Sequence, residues 1–310
     1  MGNRYVSAAY RELGAMLVRT RQQAGLTATE VARRLGWPLT TISRMENGRR
    51  TTTTTDVIQY VVMCGLKWHE LQPYVEFTRL AERKQGYYLS DERIDGSLQS
   101  LIFHESSAEH VLSYESQVIP GLLQTPDYAR ARIIAIESGI AEETVAGAVR
   151  TRMERRQVLN QSQPPRFTFY IHEHALRLRV GADKIMHEQL LHLVFMAAPD
   201  NVTMRIVPSA AGAFGEAFRL MESHEFRPVV YLDDLRFGGL ILDALAYVNS
   251  YRELVSKLAD VALDEGQSRE FAARLADEYD RGSQQGVTDV LAQEQPQQRC
   301  GNRLRGGGVA

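Results

Sequence analysis

The chain lacks the residues and runs that mark several large classes of protein. It has only two cysteines, Cys64 in an apolar segment and Cys300 near the C-terminus, which argues against a disulfide framework or a cysteine metal site. We interpret Cys64 as a core residue. No stretch approaches the 18 apolar residues of a transmembrane helix, and the first residues lack the apolar region of a signal peptide. We therefore expect a cytoplasmic, nucleoid-associated protein that does not bind membranes.

Catalytic motifs are also missing from the sequence. No GxGxxG motif follows a predicted strand, and there is neither a phosphate-loop lysine motif nor a GxSxG nucleophile elbow. His172 and His174 lie two apart on a predicted strand and could share a face. A metal site would also need His187, His192 or a carboxylate, none of which has a compelling position. The sequence predicts a protein that is not an enzyme and uses no metal and no cofactor.

The chain does have enough apolar sequence for two domains and an uneven distribution of charge. Its 310 residues are 44% hydrophobic and 24% charged, which is ordinary for soluble globular proteins. Residues 1–50 contain nine arginines, no lysine and three acids, for a formal charge of +6. Because the whole chain carries −2, the remaining 260 residues carry −8. A basic N-terminal module on an acidic body suits phosphate binding at one end.

Residues 27–48 are predicted to form two short helices joined by a tight turn. Thr27 followed by Glu30 is a capping-box pattern that begins a helix, and Gly36 has the permissive backbone that ends one. Pro38 suits the first turn of a second helix over residues 39–46. At about 100° per residue, one arc of this second helix is apolar and the opposite arc is polar. The apolar arc consists of Leu39, Ile42 and Met45, and the polar arc of Thr40, Thr41, Ser43 and Arg44.

The spacing of Ala32, Gly36 and Ile42 would let these two helices cross closely, which is typical of a helix-turn-helix. An ordinary amphipathic helical hairpin is the alternative. Residues 10–72 resemble a five-helix domain of the lambda-repressor-like, or XRE, family, with TISRMENGRR close to the family's usual end of the recognition helix. The resemblance implies an all-α domain that binds double-stranded DNA in the major groove.

The same resemblance assigns roles to individual residues. It implies base reading by Leu39, Thr40 and Arg44, and phosphate binding by Thr27, Thr41, Asn47, Arg49 and Arg50. Arg21 and Glu46 match a partly buried ion pair that ties the recognition helix to the first helix. The chain departs from the family at Ala28, where Gln is frequent, and at Pro38 and Leu39, where a small polar cap and Gln are usual. Leu39 could offer only apolar contact, for instance to a thymine methyl.

The helices around this motif can be placed from similar signals. A first helix is predicted over residues 10–24, and the threonine run is predicted to be a loop in which Thr54 or Thr55 caps a fourth helix that ends at Met63. A longer helix is predicted from Trp68 to Leu80, and the polar residues 83–97 are the predicted hinge.

The second half of the chain alternates predicted strands and helices. Strands are expected over residues 166–178, 201–207, 217–222 and 229–233, and helices over residues 145–159, 183–196 and 240–263. This order predicts an α+β domain with a small sheet covered by helices. The arginines of residues 145–159 could form a second DNA surface, although nearby acids favour a solvated or partner-facing helix.

Three motifs in this half, VIPGLLQTPDYARA, RMERRQ and NVTMRIVP, resemble the uncharacterised domain that follows an XRE module in many actinobacterial regulators, some of them antitoxin-like. The resemblance covers roughly residues 105–275. It implies a regulator that could also bind a small partner protein, and it implies no reaction.

We therefore divide the chain into a helix-turn-helix domain (residues 1–82), a linker (83–104), an α+β regulatory or interaction domain (105–281) and a disordered tail (282–310). The predicted function is sequence-specific transcriptional regulation, with the second domain sensing a partner protein or a small ligand. The alternative is an antitoxin-like module that sequesters a small protein and autoregulates its operon. A single helix-turn-helix buries only about 600 to 1,000 Å² on DNA, so a homodimer on a palindromic operator is expected. The helix over residues 240–263 could form the dimer contact or pack on its own sheet.

Overall fold

The N-terminal part of the protein is helical. The computed structural model describes residues 6–83, 85–90, 96–136, 139–196, 199–234 and 238–293. The first helices are α1 (Ala8–Gln23), α2 (Ala28–Leu35), α3 (Leu39–Glu46), α4 (Thr54–Met63) and α5 (Gln72–Glu82), and a single 3₁₀ turn, Trp68–Glu70, precedes α5. The predicted five-helix domain is confirmed. Its core contains Leu13, Leu17, Val31, Ile42, Val57 and Tyr60, all nearly inaccessible to solvent.

Local signals explain where these helices begin and end. Thr27 accepts a hydrogen bond from the backbone N–H of Glu30, and the Glu30 carboxylate accepts one from the N–H of Thr27, so the predicted capping box is present. Gly36 ends α2 in the left-handed conformation with φ 69°. The cap of α4 was predicted one or two residues too late. Thr53 is the N-cap, because Asp56 three residues on completes a second capping box with it.

The second half of the chain contains a mixed sheet. Among the described residues its strands are β1 (Tyr87–Ser90), β2 (His110–Glu115), β3 (Arg166–His172), β4 (Val202–Val207), β5 (Phe218–Glu222), β6 (Val229–Asp234) and β7 (Gly238–Leu242). Their order across the sheet is β1-β7-β6-β5-β2-β3-β4. The pairs β2–β3 and β3–β4 are parallel and the other pairs are antiparallel. The predicted α+β class is confirmed, with a sheet wider than the sequence indicated.

Helices cover both faces of this sheet. They are α6 (Gly96–Ser106), α7 (Pro126–Ile136), α8 (Glu142–Arg155), α9 (Glu173–Arg177), α10 (Asp183–Met196), α11 (Leu245–Val261) and α12 (Glu265–Gln293). Helices α7 and α8 connect the parallel pair β2–β3, and α10 connects β3–β4, because parallel neighbours need a crossover. Alternate residues of β3 enter two different cores. Phe167, Phe169 and Ile171 share a cluster with α10 and α12, whereas Tyr170 belongs to the cluster under α11.

The segment predicted to be a linker, residues 83–104, contains a strand and most of a helix. Strand β1 pairs antiparallel with β7, with Tyr88 opposite Ile241, and α6 buries Leu101. The polar composition of this segment led to the wrong prediction, although Tyr88 and Leu101 are buried in the core. The two parts of the chain are therefore joined through an edge strand of the sheet.

Two further boundaries differ from the sequence prediction. Residues 240–242 belong to β7, and the helix predicted from residue 240 begins at Leu245. An apolar run of this kind fits a buried strand as well as a helix, and pairing with both β1 and β6 decides for the strand. Helix α12 continues to Gln293, past residue 282 where a disordered tail was predicted. Residues 294–310 lie outside the described residues.

The paired histidines do not lie on one strand face. Strand β3 ends at His172, whose Nδ1 accepts a hydrogen bond from the N–H of His174 and so begins α9. The described residues contain no group of His, Cys, Asp and Glu side chains that could hold a metal ion. None of the described helices is both long and apolar enough to span a bilayer.

Candidate nucleic-acid interface

Helix α3 carries the three residues for which base reading was predicted. Thr40, Ser43 and Arg44 are exposed and Thr41 is half-buried, while Ile42 and Met45 are 0% and 1% exposed. The side chain of Arg44 makes no hydrogen bond or ion pair with any described residue. Leu39 was assigned to the apolar arc that packs inward, but it is 48% exposed. It lies in the first turn of α3, directly after Pro38.

An ion pair fixes the other end of α3. The Arg21 guanidinium donates two hydrogen bonds to the Glu46 carboxylate, from Nε to Oε1 at 2.7 Å and from Nη2 to Oε2 at 2.9 Å. Arg21 also donates from Nη1 to the carbonyl oxygen of Leu26, and the hydroxyl of Tyr60 donates to Glu46 Oε1. Burial and the neighbouring Glu46 raise the pKa of Tyr60. The pair joins α3 to α1 through two charge-assisted hydrogen bonds.

Two glycines allow α1 to approach α3 closely. A Cβ on Gly14 would overlap the backbone carbonyl oxygens of Met45 and Glu46. Gly48, which follows α3 with φ 58°, would overlap the backbone of Arg11. Only glycine fits at these positions, so the last turn of α3 rests directly on the backbone of α1.

The predicted phosphate-binding residues lie at helix ends around α3. Thr27 is exposed at the start of α2, and Thr41 lies in the first turn of α3. Asn47 follows α3 and donates to the carbonyl oxygen of Ser43. Arg49 lies 3.4 Å from Glu225 in an exposed ion pair, and Arg50 lies 3.4 Å from Asp56 in a half-buried one. Exposed pairs of this kind contribute little free energy, so both guanidinium groups can exchange their carboxylate for a phosphate.

Not all of the N-terminal positive charge faces solvent. Arg11 is buried, with its guanidinium carbon 3.8 Å from the ring centroid of Phe226 and its Nη2 donating to Ser107 at 2.8 Å. Burial lowers the pKa of Arg11 to about 10. Arg11 and Arg21 therefore hold the fold together, and exposed Arg33, Arg34 and Arg44 provide charge on the surface.

Arg11 belongs to a polar contact between α1 and the second half of the chain. Its neighbour Glu12 is buried and accepts hydrogen bonds from the hydroxyls of Tyr88, at 2.8 Å, and Ser100. The backbone N–H of Ala8 donates to Asp243 Oδ2 at 2.7 Å. These partners are 76 to 235 residues apart in sequence, and no local pattern points to them. This contact therefore has no sequence signature.

The arginine-rich helix α8 is not a second DNA surface along its whole length. Arg155 makes a buried ion pair with Glu105, and Arg152 donates to the side chain of Gln124 at 2.9 Å. Burial, together with nearby Arg132, lowers the pKa of Arg152 to about 10. Arg150 is exposed. The inward arginines take part in a charge network under the sheet.

Two known families match different parts of the chain. Residues 98–274 match the family described as Domain of unknown function (DUF5753). The chain belongs to this family. Residues 12–73 of this DUF5753 protein match the family described as Helix-turn-helix domain, which indicates DNA binding through α1–α5. The two resemblances drawn from the sequence are confirmed at this level. No curated protein matches the chain, and no solved structure matches it.

Proposed function

We propose that this DUF5753 protein is a sequence-specific transcriptional regulator that reads double-stranded DNA with helix α3. The observation that carries the proposal is the division of α3 into two faces. Ile42 and Met45 are buried against α1 and α2, while Thr40, Ser43 and Arg44 project into solvent. An arginine without a partner on an exposed helix matches the bidentate donor that reads guanine in the major groove.

The side chains around α3 suit a phosphate-binding rim. Thr27, Thr41, Asn47, Arg49 and Arg50 surround the exposed face at helix ends, where backbone N–H groups and guanidinium groups bind phosphate oxygens. The formal charge of +6 over residues 1–50 supports the same role. In this proposal Leu39 contacts a base methyl group, and the Arg21–Glu46 pair sets the angle of α3.

A second copy of the chain completes the proposed function. One helix-turn-helix covers about 600 to 1,000 Å² of protein surface on DNA, which is small for a specific complex, so two copies on a palindromic site are expected. Helix α11 buries Val248 and Leu258 against its own sheet, as one reading of the sequence allowed, and exposes Leu245 and Tyr247 on its outer side. The exposed side of α11 is our candidate for the contact between copies.

Selection from a pool of random duplex DNA with the full chain tests this proposal. We expect enrichment of one inverted repeat, whose half-sites are separated by about one helical turn. Sedimentation of the purified complex should give two chains per duplex. A pool that stays random, or binding that is equal for selected and scrambled duplexes, would show that α3 does not read sequence.

A further inference from the structure

The second half of the protein contains a cavity of about 560 Å³ that no DNA contact uses. It lies where β1, β6 and β7 meet the loop after β2. Leu89, Val118, Leu232 and Leu240 supply its apolar wall. Leu89 is half-exposed although it is a large apolar residue on a strand. A volume of this size and a wall of this kind are usual for small-molecule sites.

A buried carboxylate lines the cavity with one oxygen unused. Glu115 ends β2, and its side chain is only 7% exposed. Its Oε1 accepts a hydrogen bond from Arg219 Nη2 at 2.9 Å, whereas Oε2 accepts none from any described residue. This oxygen is accessible from the cavity, so a ligand inside the cavity can donate a hydrogen bond to it.

A network of buried charged side chains behind the cavity orients Glu115. Arg219 lies between Glu115 and Glu105, 3.9 Å from the latter, and Glu105 is paired with Arg155. Burial raises the pKa of Glu115, and the positive charges of Arg219 and Arg132 oppose that rise. The hydrogen bond from Arg219 orients the Glu115 carboxylate toward the cavity.

The remaining charges on the described residues that line the cavity are mostly negative. Arg132 lines the cavity, and it and Arg219 together offset the charge of Glu115. Asp233 and Glu216 lie at the exposed edge, and neither makes a hydrogen bond or ion pair with another described side chain. Among the described lining residues, Glu115, Glu216 and Asp233 outnumber Arg132, so this described part of the lining carries an excess of negative charge beside the apolar wall.

We propose that this cavity binds a small apolar molecule that carries an ammonium group. The ammonium donates to Glu115 Oε2 and is attracted by Asp233 and Glu216, and the apolar body rests on Leu89, Val118 and Leu240. As an effector site this inference deepens the proposed function and rests on it. Binding of the molecule itself does not depend on DNA.

The cavity shares a strand with the contact to the DNA-binding helices. Leu89 and Tyr88 are neighbours on β1, and consecutive strand residues point to opposite faces. Leu89 lines the cavity, while the Tyr88 hydroxyl donates to Glu12 of α1 at 2.8 Å. A ligand that contacts Leu89 would therefore lie on the opposite face of β1 from Tyr88, whose hydroxyl binds α1.

Calorimetric titration of the full chain with three probes of one skeleton tests the site. The probes are 3-phenylpropylamine, 3-phenylpropanol and 3-phenylpropanoate. We expect one amine per chain, bound at least about tenfold more tightly than the alcohol, with the carboxylate weaker still, because the charge-assisted hydrogen bond is unique to the amine. Equal binding of amine and alcohol, tighter binding of the carboxylate at Arg132, or no binding of any probe up to about 20 mM would overturn the proposal.

Variants connect the binding to the named carboxylates. Asp233→Asn and Glu216→Gln lie at the exposed edge and should each weaken amine binding by about threefold. Glu115→Gln keeps an acceptor for Arg219 and should cost about tenfold or more. Glu143→Gln, an exposed carboxylate on α8 outside the cavity, is the matched control and should bind the amine like the parent. If Asp233→Asn and Glu216→Gln both bind the amine as tightly as the parent protein does, the site is refuted. This outcome is informative even if Glu115→Gln does not fold.

The titration separates this inference from the proposed function. DNA affinity is measured on the same protein preparation without any probe. Amine binding in a protein that ignores DNA sequence would uphold the site and refute the regulator. Sequence-specific DNA binding in a protein that takes no amine would uphold the regulator and refute the site.

Discussion

The hydroxyl of Tyr88 donates a 2.8 Å hydrogen bond to the carboxylate of Glu12, and this bond joins the edge strand of the sheet to the first helix of the DNA-binding domain. His104 Nε2 lies 2.9 Å from the same hydroxyl. Because the Tyr88 proton is used toward Glu12, the histidine must donate from Nε2. Its Nδ1 is buried and has no partner. A second proton on His104 would therefore be a buried donor without an acceptor.

Acidification should weaken the fold through His104. Burial lowers the pKa of His104 below 6.5, against the opposing effect of Glu12, so the unfolded chain takes up the proton first. Stability is then complete above about pH 6.5 and falls as the pH drops below that value, by up to about 1.4 kcal/mol per pH unit for one group. His104→Gln, whose amide can still donate to Tyr88, should make the loss between pH 6.5 and 5 shallower in urea titrations.

Two other histidines set the baseline for this experiment. Burial also lowers the pKa of His110 and His192, with Arg166 and Arg156 adding to the respective shifts, so part of the pH dependence remains in the variant. Glu12 acts at lower pH. Burial opposes its ionisation, but His104, Ser100 and Tyr88 hold its pKa below the usual value, and its contribution is lost only as the pH falls below about 4.5. An unchanged slope between pH 6.5 and 5 in His104→Gln would contradict the assignment.

The helix-turn-helix could be predicted from the sequence because its signals are local. A capping box spans four residues, Gly36 marks the turn, and the faces of α3 follow from a period of 3.6 residues. For Leu39, helical periodicity gave the wrong burial. Periodicity assigns it to the packed arc, but it lies in the first turn of an eight-residue helix and is 48% exposed. What covers a side chain is a tertiary property.

The parts that escaped prediction depend on contacts between distant residues. Strand β1 exists because Tyr87 to Ser90 pair with β7, more than 140 residues later, and a polar segment gives little sign of this. The sequence favours an exposed position for Arg155, but in the structure it forms a buried ion pair with Glu105, 50 residues away in sequence. The cavity is lined by residues from several helices, strands and loops, and the hydrogen bonds to Glu12 come from Tyr88 and Ser100 in the second half of the chain. Neither feature therefore has a sequence signature.

The ion pair between Arg21 and Glu46 should be important for stability. Their side chains are 14% and 8% exposed, so removing one charge leaves the other partly desolvated without its partner. We expect Glu46→Gln to lower the free energy of unfolding by about 2 to 4 kcal/mol. Urea denaturation followed by circular dichroism measures this loss. Glu188→Gln removes the exposed pair with Lys184 and serves as the control, with a change close to experimental error. If both variants lower the free energy of unfolding by the same amount, the Arg21–Glu46 pair contributes no more to stability than an exposed pair.

Alanine in place of glycine should destabilise the protein where α1 contacts α3 and stabilise it on an open helix face. Gly14→Ala adds a methyl group against the carbonyl oxygens of Met45 and Glu46 and should destabilise the protein by about 1 to 3 kcal/mol. Gly147→Ala, on α8 with no atom within 4 Å of the added Cβ, should stabilise it by about 0.5 to 1 kcal/mol through helix propensity. Thermal denaturation distinguishes these outcomes. A stabilising Gly14→Ala would mean that α1 and α3 are not in direct contact.

Base reading and phosphate binding predict different losses for two arginines of the same region. Arg44 is exposed on α3 and has no partner among the described side chains, so Arg44→Ala removes only a contact to DNA. It should cost about 1 to 3 kcal/mol on the selected duplex and relax discrimination at one base pair. Arg50→Ala removes a guanidinium group that now lies 3.4 Å from Asp56, and it should weaken all duplexes alike and reduce the salt dependence by about one ion.

Fluorescence anisotropy with selected and scrambled duplexes at several salt concentrations separates the two roles. Melting temperatures of both variants are needed, because Arg50 also contacts the carbonyl oxygen of Thr51 and Arg44 has no comparable contact. If Arg44→Ala weakens the selected and the scrambled duplex by the same factor, Arg44 binds phosphate and specificity must come from Leu39 and Thr40. The face of α3 would then read DNA mainly by apolar and hydroxyl contacts, which favour thymine methyl groups over guanine.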